Sequence, residues 1–169
     1  MSEAWREWTV AAALLETDAG LLMVRNVRRG GVEDWSTPGG VVDAEDASLL
    51  AGLEREVLEE TGLRVTAWEG PVYEVHAVAP DMGWHMRCEV YRVAGYEGDI
   101  AVDDPDGIVV EAEFVPVGRL DERLATCAPW VREPLAEWLA ERWEVGGPHR
   151  QFHFEVRGTV RSELSVTRH

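Results

Sequence analysis

The stretch Arg55 to Leu63, REVLEETGL, decides how this chain is read. Written as a helix, it places Glu56, Glu59 and Glu60 on one side, because positions three and four apart are neighbours on a helical surface. Like charges so placed repel by about 0.2–0.5 kcal/mol per pair on an isolated helix. A cation is expected to offset that repulsion, and a divalent metal suits the geometry best. Hard cations such as Mg2+ bind through a few carboxylates and keep positions open for water and phosphate oxygens. Gly62 follows where a helix needs a left-handed terminating residue.

Upstream, Trp35-Ser36-Thr37-Pro38-Gly39-Gly40 leads through a loop to a helix start near Ser48. Leu49, Leu53 and Val57 recur every fourth position and form an apolar stripe beside the acids. Gly40 to Leu63 as a whole resembles the box of the Nudix hydrolase family: Gly, five residues, Glu, seven residues, then Arg-Glu-apolar-x-Glu-Glu-x-Gly-apolar. Arg55, Glu56, Val57, Glu59, Glu60, Gly62 and Leu63 match at every specified position. The first half departs from the pattern. Its acid is Asp46, one methylene shorter, and eight residues separate it from Arg55. The expectation is an inserted loop residue that displaces Asp46 from a supporting position and leaves the principal acids intact.

The resemblance implies an α+β chain with the Nudix fold, a mixed β-sheet sandwiched between helices. It also implies a metal-dependent hydrolase that splits the phosphoanhydride of nucleoside diphosphate derivatives, with ADP-ribose, oxidised nucleoside triphosphates and dinucleoside polyphosphates all open as substrates. On that basis Glu56, Glu59, Glu60 and the carbonyl of Gly39 are expected around Mg2+, with Mn2+ as a substitute, and Arg55 is expected to hold the acids by ion pairing. Glu56 or Glu113 is expected to take the proton of the attacking water. Glu111 shares a strand face with Glu113 and competes for that role. Arg25 and Arg29 are the expected phosphate contacts, Trp35 and Trp84 the expected stacking partners for a base. The reading from another class is a non-catalytic Nudix module that binds a nucleotide or a protein as a sensor; three intact glutamates favour the enzyme.

The whole chain agrees with a small globular enzyme. It has 169 residues, 46% hydrophobic and 28% charged, enough for one domain with a core. No apolar run approaches the roughly 20 residues that span a bilayer, and the N-terminus lacks a secretory h-region, so no membrane association and a cytoplasmic location are expected. The formal charge of −16, with every cation an arginine, argues against long nucleic acid as a partner. A small nucleotide remains suitable, because local arginines and a bound metal override the global field. Cys88 and Cys127 have no ligand spacing and read as packing residues. His76 and His85 lie on predicted strands without metal spacing and read as structural.

Residues 7–15 and 21–25 read as a hairpin about Asp18-Ala19-Gly20, Asn26 to Glu33 as a loop, and 64–68, 71–79, 84–94 and 109–116 as strands. Asp103, Asp104 and Asp106 read as a turn, given Pro105 and Gly107. A helix is expected from Pro129 to about Trp143, with Pro129 and Pro134 in its first turn. The Nudix domain is placed at 1–148. Residues 149–169 are a C-terminal β extension, one strand or a hairpin about Gly158, whose apolar row Phe152, Phe154 and Val156 must pair either with its own sheet or with a second subunit. A homodimer through that strand is the expectation.

Overall fold

A computed structural model describes residues 4–146 and 150–169. Strand β1 (Arg6–Leu14) turns through the short β2 (Glu16–Thr17) into β3 (Gly20–Val27). Gly20 is required at that turn: with φ +133°, any Cβ there would stand 2.0 Å from the Val115 carbonyl oxygen. β4 (Glu33–Ser36) and β5 (Gly39–Val41) follow, then helix α1 (Leu49–Thr61). The Ser48 side chain accepts the Ala51 N–H at its start, and Gly62 closes it in the left-handed conformation, φ 79°, donating to the Leu58 carbonyl. β6 (Arg64–Ala79) and β7 (Trp84–Glu97) form a long hairpin; β8 (Val109–Val115), α2 (Leu120–Leu124) and α3 (Pro129–Glu141) come next, and β9 (Arg150–Arg157) and β10 (Ser165–Arg168) end the chain.

The strands form a six-stranded mixed sheet, in the order β10-β9-β6-β7-β1-β5, and a smaller antiparallel sheet in which β3 lies between β4 and β8 and also pairs with β2. In the larger sheet β1 runs parallel to β7, and β6 parallel to β9. Alternate residues of β1 serve two cores, as the two-residue period of a strand dictates. Ala11 and Ala13 pack with Leu53 and Val57 of α1, while Val10 and Ala12 face the cluster containing Leu135 and Trp138 of α3. The sheet is therefore sandwiched between helices, as expected of this fold.

Several expectations change. The loop expected over 26–33 is shorter, because β3 continues to Val27 and β4 begins at Glu33, both held by β3–β4 pairing. Pro134 lies inside α3 rather than in its first turn, where its missing N–H leaves one carbonyl without an intrahelical donor. The tail is a hairpin, and β9 is flanked by β6 on one side and β10 on the other. Both backbone edges of β9 are thus used within the chain, and Phe152, Phe154 and Val156 are buried in the core at 5%, 2% and 0% exposure. Of the two partners expected for that apolar row, its own sheet and a second subunit, β9 takes the chain's own sheet. The 148/149 boundary lies outside the described residues, although β9 beyond it belongs to the same sheet as β6.

Candidate active site

Helix α1 turns one face to the core and the adjacent face to a pocket of about 530 Å³. Glu56, Glu59 and Glu60 all line it, together with Arg55, Asp43 and the backbone at Gly39 and Gly40. The box glycine has a local reason: a Cβ on Gly40 would lie 2.8 Å from the Glu56 carboxyl carbon, so glycine lets β5 lie against the acid without displacing it. Glu60 is 7% exposed, and its Oε2 accepts the Gly39 N–H at 3.2 Å. Burial pushes the Glu60 carboxyl up to about 9; the Gly39 N–H works against the shift and the neighbouring Glu56 adds to it. Burial also raises Glu56, partly offset by Arg55.

Arg55 is the hub of the pocket. Its Nη1 lies 3.1 Å from Glu56 Oε1 and 3.4 Å from Glu59 Oε2, and its Nη2 reaches Asp43 at 3.3 Å. Its other edge holds Asp46 with two bonds, Nε to Oδ1 at 3.1 Å and Nη2 to Oδ2 at 3.0 Å. These partners raise the Arg55 pKa, Asp46 first among them, while the Arg55 hydrogen bond holds the Asp46 carboxyl below its usual range. The expectation that the inserted loop residue displaces Asp46 is therefore corrected. The loop is one residue longer, the acid one methylene shorter, and Asp46 still meets the guanidinium. Gly52 makes room for it, since a Cβ there would stand 2.7 Å from Asp46 Oδ2.

Among the described residues, no three His, Cys, Asp or Glu side chains are already grouped around a common point. Arg55 spans Glu56 and Glu59, and Glu60 faces Gly39. The residues nevertheless fit a hard cation: an all-oxygen donor set, a buried carboxyl made costly by desolvation, and glycine backbone beside it.

Of the other expected site residues, some lie elsewhere. Glu113 is on the β8 face opposite to Ala112 and Phe114, the residues that pack beside α1, and it pairs with Arg123 at 3.3 Å and Arg119 at 3.5 Å. It does not line the acid pocket, and neither does Glu111, which pairs with Arg25. Arg25 is engaged by Glu111 and Glu33, at 2.9 and 3.0 Å, on the same wrong face; Arg29 is exposed in the β3–β4 loop. Their neighbour Arg28 lines the pocket, as Arg55 does. Asp104 and Asp106 do form a turn, as expected, with Asp104 accepting the N–H groups of Asp106, Ile108 and Val109. That turn also walls the pocket. Only the docking of residues 101 and 103 onto the end of α1, through Ala101 N–H to Thr61 O and Asp103 N–H to Glu59 O, puts it there, and no sequence signal announces such docking.

Trp35 and Trp84 line a second, aromatic cleft of about 730 Å³ with Trp8 and Trp130. Trp84 stacks on Trp8 at 5.8 Å and meets Trp130 edge-on at 6.4 Å. Trp35 is 7% exposed, under the Arg123 guanidinium at 4.1 Å. A small apolar slot of about 160 Å³ has walls in common with both regions. It shares Gly39, Gly40 and Ser36 with the acid pocket, and Trp130, Val131 and Ser36 with the aromatic cleft.

Residues 5–139 match the family model of the NUDIX domain. A MutT-like protein of Streptomyces ambofaciens is 29% identical over 128 residues, covering 73% of this chain and 80% of its own. Among solved structures, a NUDIX hydrolase from Nitrosomonas europaea superposes with TM-score 0.63 at 22% identity, covering 80% of this chain and 90% of that one. A MutT protein from Bacillus halodurans gives 0.62 at 22% identity over 95% and 97%. The chain belongs to the Nudix hydrolase family and is a pyrophosphohydrolase of that type. Nudix hydrolases generally use divalent metals and act on small nucleotides. No helix among the described residues is long and apolar enough to cross a membrane.

Proposed function

We propose that this enzyme hydrolyses the diphosphate linkage of a small nucleoside diphosphate derivative, with Mg2+ or Mn2+ held by Glu56, Glu59 and Glu60 and by the Gly39 backbone. The observation that carries the reading is that the acid pocket and the aromatic cleft share Arg28 and Ser36 in their walls, with an apolar slot bordering both at Ser36. A charged diphosphate and a planar base need those two environments side by side. When bound, the metal neutralises phosphate charge and lowers the pKa of a coordinated water.

The chain's own residues do the rest. Arg55 bridges Glu56 and Glu59 through Nη1, and is itself fixed by Asp46. Glu56 is the base, because it lies in the pocket and Glu113 does not. Arg28 lines both the acid pocket and the aromatic cleft, so it is the arginine placed to contact a phosphate that bridges them. Trp84, half-buried in the cleft, offers the stacking face; Trp35 is covered by Arg123 and shapes the wall.

The test is a panel of ADP-ribose, oxidised and ordinary nucleoside triphosphates and dinucleoside polyphosphates with Mg2+ or Mn2+, read as inorganic phosphate, directly and after added phosphatase. Release of pyrophosphate or of two phosphorylated products from one group supports the reading. No turnover of any of them, with the protein folded, rejects it.

A further inference from the structure

The face of the large sheet that packs against α1 carries, farther along the strands and away from the acid pocket, a histidine pair. His76 on β6 and His85 on β7 approach through His76 Nδ1 and His85 Nε2, 3.4 Å apart, with rings only 19° out of parallel. Each ring's other nitrogen meets a carboxylate. His76 Nε2 is 2.7 Å from Glu74 Oε1, and His85 Nδ1 is 3.1 Å from Glu7 Oε2. An ionised carboxylate only accepts, so the proton of each neutral ring belongs on that outer nitrogen. The two inner nitrogens then each present a lone pair, 3.4 Å apart. Two lone pairs cannot hydrogen-bond; a cation bound by both, off the line that joins them, removes the conflict.

We propose that His76 and His85 form a two-histidine site for a late first-row divalent cation such as Zn2+ or Ni2+. Two Zn–N bonds of about 2.0–2.1 Å at a tetrahedral angle set their nitrogens roughly 3.4 Å apart. Imidazole suits these metals, whereas Mg2+ prefers oxygen, so the two metal sites of the molecule differ in chemistry. Carboxylates behind ligating histidines fix the tautomer and raise ligand basicity, which is the position Glu74 and Glu7 hold. His153 of β9 stacks on His76 at 4.9 Å and restrains its ring. Arg87, on the same face, is drawn to Glu74 and Glu89, at 2.6 and 3.5 Å. Among the described residues no third His, Cys, Asp or Glu converges, so water completes the coordination. The bound ion ties β6 to β7 across their hairpin.

Titrating Ni2+ or Zn2+ into the protein in saturating Mg2+, by calorimetry and by histidine nitrogen NMR, tests this. One site is expected, with shifts at His76 Nδ1 and His85 Nε2, a higher Tm, and unchanged Mg2+-dependent hydrolysis at one equivalent. His85→Gln, which keeps the bulk of the half-buried ring position, is expected to weaken binding at least tenfold and abolish the Tm gain, and Glu7→Gln to weaken it several-fold. Glu60→Gln is expected to keep it. Absence of binding below millimolar metal overturns the proposal, as does binding that survives His85→Gln. A nitrogen shift that follows pH alone, with no response to metal, also overturns it and identifies a shared proton instead.

Discussion

Arg55 grips Asp46 with two parallel hydrogen bonds, Nε to Oδ1 at 3.1 Å and Nη2 to Oδ2 at 3.0 Å. The same guanidinium holds Glu56 and Glu59 with its remaining nitrogen. Asp46 therefore sets where Arg55 sits, and through it where two of the acids sit. Asp46→Ala should lower kcat by about tenfold to a hundredfold, as loss of an orienting partner behind a metal ligand does. Gly52→Ala should act in the same direction, since its methyl would meet Asp46 at 2.7 Å. Wild-type kcat in Asp46→Ala would show that Arg55 keeps its place without this partner.

Glu59→Gln and Glu60→Gln should each reduce turnover at least about a hundredfold with the fold intact, because each removes charge where the transition state needs a metal. EDTA should abolish activity and Mg2+ or Mn2+ restore it. Rescue by zinc alone would contradict an all-oxygen site.

Glu60 gives the metal-free protein a pH signature. Its folded carboxyl titrates at about 9, against an ordinary value of 4.5, so the native state keeps a proton that the unfolded chain releases. Stability should then fall as pH rises from about 4.5 toward 9, the direction in which the unfolded state binds fewer protons. Thermal melts at pH 6 and 8.5 in EDTA should show that decline, and Glu60→Gln should flatten it. Saturating Mg2+ should do likewise, by stabilising the ionised form. A decline unchanged in Glu60→Gln assigns the proton elsewhere.

Placement separates residues that resemble one another in sequence. Arg28→Ala and Trp84→Ala should raise KM more than they change kcat, as loss of uniform binding does. Glu113→Gln should leave kcat within about threefold, because its partners are Arg119 and Arg123 on the far face of β8. A hundredfold loss in Glu113→Gln, with Tm unchanged, would restore it as the base.

The tail should behave as core. Phe154 is 2% exposed between β6 and α3, and Phe154→Ala should cost about 3–5 kcal/mol by denaturant unfolding. Truncation after Gly147 should expose the β6 edge and lower Tm sharply. A truncated chain as stable as the full one would mean that β9 adds nothing to the sheet.

What the sequence determined by itself is local. The spacing of Glu56, Glu59 and Glu60, the stripe Leu49, Leu53 and Val57, and the stop at Gly62 are all properties of one helix, and a period of 3.6 residues is enough to read them. The strand alternation and the Asp18-Ala19 turn are local in the same sense. Tertiary structure alone decided which strands meet and which faces they turn. Glu113 and Arg25 lie on strands the sequence predicts, yet the pairing of β3 with β8 turns both away from α1, and one step along a strand reverses the face. Asp46 is called displaced when only residue counts are compared, while its capture by Arg55 depends on a path through space that the longer loop and shorter side chain reach together. The tail's partner, the Asp104 turn beside the acids and the meeting of His76 with His85 likewise arise from contacts between segments distant in the chain. Local periodicity does not encode them, because many pairings satisfy the same alternation and only the packed core selects one.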